Sequence, residues 1–174
     1  MLRFIAQRDH RLMQWVNNWP APGWIRVWML SATRAGDGWL WCAVGLAILL
    51  FGGRNRFRAP AAMGLAAALG AALFQILKRM IGRTRPCDIA PHCWANLPPP
   101  DRFSFPSGHT IEAFAVSTPV VLFFPSLTAG ILFCAFSVAL SRILLGMHFL
   151  SDVVTGAAIG AGLGYGVFLL FARA

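Results

Sequence analysis

An all-helical bundle embedded in a membrane is the fold this sequence predicts. Three observations predict it: 57% of the 174 residues are apolar, only 12% are charged, and the charges cluster between long uncharged runs. A soluble domain of this length would need polar residues spread along each helix to cover its surface. Nor does the composition suit a disordered chain, which needs few apolar residues.

Residues 1 to 36 interleave Trp15, Trp19, Trp24 and Trp28 with Arg11, Arg26 and Arg34 around a Pro20-Ala21-Pro22-Gly23 break. Amphipathic rings beside cations suit the headgroup layer, so this stretch is expected to form one or two interfacial helices, with the membrane-embedded domain at 37 to 174. No continuous apolar core of a cleavable signal lies in the first 20 residues, and the protein is expected to enter the membrane through its own spans. Residues 38 to 52 are a short span, long enough if the helix starts near Asp37 or the bilayer thins. Residues 59 to 77 are uncharged over 19 positions and residues 153 to 172 over 20, each enough to cross a hydrocarbon layer of about 30 Å. The uncharged stretch 113 to 141 is too long for one crossing and breaks at Pro125-Ser126, giving two helices. The total is five spans. Gly156, Gly160 and Gly164 recur every fourth residue of the last one, a pattern for close helix packing.

Charge gives two further expectations. Fifteen Lys and Arg against six Asp and Glu, a formal +9, fit nucleic acid, anionic headgroups or phosphate-bearing substrates, and composition does not choose among them. The Arg54, Arg56 and Arg58 turn suits a cytoplasmic anchor, yet the opposite side carries more basic residues, so the positive-inside rule does not orient the chain.

That opposite side holds three clusters of residues that a bilayer penalises unless they have a function. In Lys78 to Pro86, KRMIGRTRP, four cations fall just after a span; alone, such a run is as often a membrane anchor. Phe105-Pro106-Ser107-Gly108-His109-Thr110 precedes the next span. A Ser-Gly start leaves backbone N–H groups accessible to an oxyanion, and His109 in the first turn can hand a proton to a leaving oxygen. In the third cluster, Ser141-Arg142 is followed by His148 and then by Asp152 four residues on. At that spacing a carboxylate can accept from one ring nitrogen and direct the other outward as a base or nucleophile. Each of the last two has a bland reading as a helix cap. All three at one membrane face fit a phosphate better than they fit packing.

The clusters read K-x6-R-P, P-S-G-H and S-R-x5-H-x3-D, and in this order they resemble the type 2 phosphatidic acid phosphatases. The flanks FSFPSGHT and SRILLGMHFLSD are most similar to bacterial phosphatidylglycerophosphate phosphatases of the B type. The resemblance implies an all-α bundle, usually of six spans, with a core like that of the haloperoxidases and a site facing the periplasm or exterior of a bacterial inner membrane. It implies hydrolysis of a lipid phosphate through a phosphohistidine. His148 would be the nucleophile, Asp152 its orienting partner and His109 the acid for the leaving group, while Lys78, Arg85, Ser107, Gly108 and Arg142 would hold the phosphoryl oxygens. The Trp-rich segment stands where the family has its first span.

A metal mechanism would want several carboxylates, and only Asp88, Asp101, Glu112 and Asp152 lie near, so neither metal nor other cofactor is expected. The expected partners are a lipid-phosphate substrate and membrane lipids, without nucleic acid. An anion channel using Lys78, Arg85 and Arg142 as a selectivity ring is the alternative, but it gives no reason for His148 and Asp152 at a fixed spacing. Cys87 and Cys93 are spaced to close a small ring if their loop faces an oxidising compartment, and two free thiols are an equal expectation.

Overall fold

The computed structural model describes residues 2–89 and 102–173. Cys93 falls outside them, and with it the choice between a Cys87–Cys93 ring and two free thiols. Two helices form in the Trp-rich segment, α1 (Leu2–Asn18) and α2 (Gly23–Ala35), separated at the proline-rich break where Pro20 and Pro22 remove backbone donors. After these come α3 (Trp39–Phe51), α4 (Arg58–Ile81), the short α5 (Pro86–Ile89), α6 (Gly108–Phe123), α7 (Thr128–Leu144) and α8 (Leu150–Ala172). Helices α3, α4, α6, α7 and α8 overlap the stretches read as spans, with α6 and α7 on either side of the break in 113 to 141.

Among the described residues, α4, α8 and the stretch Pro125–Leu144 are long and apolar enough to cross a membrane. Helices α2 and α3 meet the same measure as a pair bent by 63°, and α6 is apolar but shorter. The bend lies at the Gly36-Asp37-Gly38 turn. Helix α2 packs against α7 and buries Met29, Ala32 and Thr33.

Only 22% of the apolar window of α4 and 28% of that of α8 is covered by the rest of the protein. Trp39, Leu46, Phe51, Phe133 and Phe136 likewise stand exposed. In water so large an apolar surface would drive aggregation, whereas in lipid it is the surface the solvent requires. The protein is an integral membrane protein.

Helix α6 is the hub, packed against α4, α7 and α8. Its contact with α8 is backbone to backbone: a Cβ built on Gly160 would stand 2.3 Å from the Ile111 carbonyl oxygen and 3.0 Å from Ala115 N. Helices in lipid associate by such close packing because the hydrophobic effect does not favour one apolar neighbour over another. Gly160→Val is therefore expected to force α8 off α6, costing about 1–3 kcal/mol and lowering the melting temperature in detergent. Gly162→Ala, whose added methyl meets nothing within 4 Å, should leave it unchanged. Equal melting temperatures for the two variants would contradict this packing.

Candidate active site

The three polar clusters meet in one cavity of about 300 Å³, lined by Phe74, Lys78, Arg85, Gly108, His109, Glu112, Arg142 and His148 together with small residues of α4. Lys78 lies in the last turn of α4, buried, with Nζ 4.4 Å above the ring of Phe74. Arg85 arrives on the segment after α4. That segment is held in place by a short antiparallel bridge between Thr84 and Phe103, and Ser104 N donates to the Arg83 carbonyl at 2.7 Å. Arg142 ends α7, is 4% exposed, and donates from Nη1 to Thr33 Oγ1 of α2.

The spacing from Arg142 to His148 has a local cause. After α7 ends, Gly146 takes φ +68°, a conformation that costs glycine little, and the chain folds back. Met147 N and His148 N then both donate to the Arg142 carbonyl, at 3.1 and 3.0 Å. The imidazole is thereby tied to the residue whose guanidinium lines the same cavity.

His148 is 2% exposed, and its two ring nitrogens have different surroundings. Nδ1 lies 2.5 Å from the Ser104 carbonyl oxygen, which can only accept, so Nδ1 carries the proton. In the neutral ring Nε2 then bears the lone pair, and Arg85 Nη1 stands 3.3 Å from it while donating to the Met147 carbonyl at 2.9 Å. Burial pushes His148 down to about 4, Arg142 and Arg85 push the same way, and Asp152 opposes them. The ring is neutral at pH 7, with its unprotonated nitrogen on the Arg85 side.

Asp152 does not take the expected hydrogen bond from the imidazole. Its Oδ2 is 3.8 Å from His148 Nδ1 and instead accepts from Phe149 N at 2.9 Å, while Oδ1 accepts from Arg83 Nη1 at 2.6 Å. The reason is its place in the first turn of α8, where a carboxylate caps orphan N–H groups. The cap and the charge beside His148 are one residue. Ser107 also departs from expectation: its N–H donates to the Asp152 carbonyl at 3.2 Å across the α6–α8 contact. Of the Ser-Gly pair, only Gly108 lines the cavity.

His109 Nε2 is 2.6 Å from Asp37 Oδ1, in the turn between α2 and α3. Sequence reasoning missed Asp37 as a site residue, treating it as a helix start. Ser104 was missed because it contributes a carbonyl, which every residue has. Thr33 lacked any signal beyond being a hydroxyl in an apolar helix.

Residues 59–174 match the PAP2 superfamily, a stretch that contains all three clusters. The chain belongs to the PAP2 superfamily. The chain is 36% identical over 137 residues to the decaprenylphosphoryl-5-phosphoribose phosphatase of Mycobacterium tuberculosis, covering 73% of this chain and 68% of that protein. It is 35% identical over 105 residues to the lipid A 1-phosphatase of Rhizobium johnstonii, covering 58% of this chain but only 43% of the relative's length. The fold is similar to that of the transmembrane PAP2-type phosphatidylglycerolphosphate phosphatase of Bacillus subtilis, with TM-score 0.77 and 24% identity over 97% of this chain and 87% of that one. Asp9, Thr33 and Asp37 precede the matched PAP2 region, so α1, α2 and the turn after it add contacts from outside that core.

Proposed function

We propose that this PAP2 protein is a lipid-phosphate phosphatase working through a phosphohistidine on His148. The observation that carries the reading is the continuity of two cavities of opposite character. The basic one holds Lys78, Arg85 and Arg142 around the His148 ring. Beside it an apolar groove of about 370 Å³ runs between α3, α4 and α6 past Trp41, Met63 and Val116, and shares Ala67 and Glu112 with the basic cavity. A phosphate on a hydrocarbon anchor fits both at once: three cations for the phosphoryl oxygens, a lipid-facing groove for the chain. The two relatives named for decaprenylphosphoryl-phosphoribose and lipid A act on phosphates borne by such anchors.

The chemistry follows from the geometry. His148 Nε2 attacks phosphorus in line with the leaving oxygen, the P–O bond breaks, and His109 supplies the proton that the leaving oxygen takes up. Arg85, Arg142 and Lys78, with the Gly108 backbone, compensate the charge spread over the equatorial oxygens, while Ser107 holds the start of α6 in place. As the ring becomes cationic, Asp152 is a nearby opposite charge. Water then attacks the phosphohistidine, returns a proton to His109, and inorganic phosphate leaves. No metal enters this scheme; Glu112 is the one carboxylate among the described residues that line the cavity, beside Lys78, Arg85 and Arg142.

Residues 1–36 form the interfacial segment and 37–174 the catalytic body, with α3, α4, α6, α7 and α8 as five spans of a bacterial inner membrane and the basic cavity on the periplasmic side. The test is a panel of phosphatidylglycerol phosphate, phosphatidic acid, undecaprenyl diphosphate and lipid A in detergent with excess EDTA, against a soluble phosphomonoester. Faster phosphate release from at least one lipid is expected, by about tenfold or more in kcat/KM, because the groove contributes only when a chain fills it. Equal rates on the soluble ester, or a dependence on added magnesium, would contradict the reading.

A further inference from the structure

We propose that Asp9 and Arg83 are positioning residues for the reaction, making helix α1 part of the machinery that sets Asp152 beside His148. The inference rests on the roles proposed above for His148 and Asp152. Asp9 is only 4% exposed although it lies in the polar first helix, and a buried carboxylate persists only with compensation. Its Oδ2 accepts from Arg83 Nη2 at 2.8 Å and from Ser151 Oγ at 2.5 Å, and its Oδ1 from Ser151 N at 3.1 Å. Arg83 Nη1 reaches the other way, donating to Asp152 Oδ1 at 2.6 Å and Ser151 Oγ at 2.7 Å. The guanidinium lies 4.1 Å above the ring of Phe149, whose N–H holds Asp152 Oδ2. One planar fork thus spans two carboxylates, one from each end of the chain, a geometry that suits arginine and not lysine.

Two consequences follow for catalysis. Because Arg83 claims Oδ1 and Phe149 N claims Oδ2, the carboxylate of Asp152 cannot rotate, and Oδ2 stays 3.8 Å from His148 Nδ1. The charge count matters as well. With Asp9 in place the group Asp9, Arg83 and Asp152 sums to minus one; without Asp9, Arg83 neutralises Asp152, and the cationic phosphohistidine loses its compensating charge. Arg83 does not line the basic cavity, so substrate affinity is untouched.

The experiment compares kcat and KM of Asp9→Asn, Arg83→Lys, Arg83→Gln and the double variant Asp9→Asn/Arg83→Gln, with His10→Ala as a control. His10 packs its ring, tilted by 32°, against Phe149 at 5.2 Å and helps seat α1 without joining the charge network. Asp9→Asn is expected to lower kcat about tenfold with KM within twofold, as the loss of one charge acting through a partly screened interior. Asp9→Glu, measured alongside, should retain most of the wild-type kcat, His10→Ala should leave kcat within twofold, and adding Asp9→Asn to Arg83→Gln should cost nothing further. Wild-type kcat in Asp9→Asn, a loss as large in His10→Ala, or an undiminished Asp9→Asn effect in the Arg83→Gln background would overturn the proposal. If Asp9→Asn does not fold, Arg83→Lys decides: it keeps the charge but loses the fork, so wild-type kcat there overturns the proposal and reduced kcat at constant KM supports it. Asp152→Asn separates the two levels of inference, since wild-type turnover in that variant defeats the proposed site and not merely its support.

Discussion

Replacing His148 with alanine is expected to abolish turnover, by on the order of 10^4-fold or more, while the protein still folds and inserts. The expectation rests on three features of this residue. Nδ1 is fixed as the proton-bearing nitrogen by the Ser104 carbonyl, so Nε2 is available to attack. Burial lowers the ring to about 4, so it is unprotonated across the working pH range. Its backbone is anchored to Arg142, so the proposed nucleophile and the guanidinium proposed to bind phosphate move together. The same burial fixes a sign for pH dependence. Between pH 6.5 and about 4 the unfolded chain binds a proton at His148 that the folded chain does not, and folding stability falls as pH drops through that window. Activity governed by His148 should persist below pH 6.5 and be lost near 4. Thermal melts and kcat/KM profiles of the wild type check both, and an acid limb centred at 6.5 would show a solvated ring instead.

His109→Ala carries the second large effect, and it should depend on the leaving group. A positioned general acid contributes roughly 10^2 to 10^4-fold when the departing oxygen is a poor leaving group. Loss of that order is expected with a lipid alkoxide. With an aryl phosphate, whose phenoxide departs without a proton, the first step, read as pre-steady-state phenol release, should lie within about tenfold of wild type in the variant. A uniform loss in that first step on both substrates would assign His109 to binding. Asp37→Asn should share the pattern in weaker form, because the Asp37 Oδ1 contact at 2.6 Å orients the His109 ring from the α2–α3 turn.

Much of this site was legible before any coordinates. The apolar helices were legible because a bilayer tolerates few charges, which left Lys78, Arg85, His109, Arg142, His148 and Asp152 conspicuous at or near helix ends. Fixed spacings were legible too: four residues from His148 to Asp152 is what a helix start imposes. What stayed hidden was tertiary. No pattern in residues 1 to 37 announces that Asp9 reaches Arg83, that Thr33 meets Arg142, or that Asp37 meets His109, since each pairing spans more than 70 positions of sequence. The Ser104 contribution is a backbone carbonyl and carries no side-chain signature. The partner of the Ser107 N–H was hidden for a related reason: it could serve an anion or a neighbouring helix, and here it donates across the close α6–α8 contact permitted by Gly156 and Gly160.

The central claim is that His148 carries the phosphoryl group. Rapid quench during turnover of a radiolabelled lipid phosphate, followed by alkaline digestion-compatible peptide mapping, tests it directly. The account predicts an acid-labile, alkali-stable label on the peptide containing His148, formed faster than free phosphate appears. Label on the peptide containing His109, or burst-free turnover with no phosphorylated histidine at all, would contradict it.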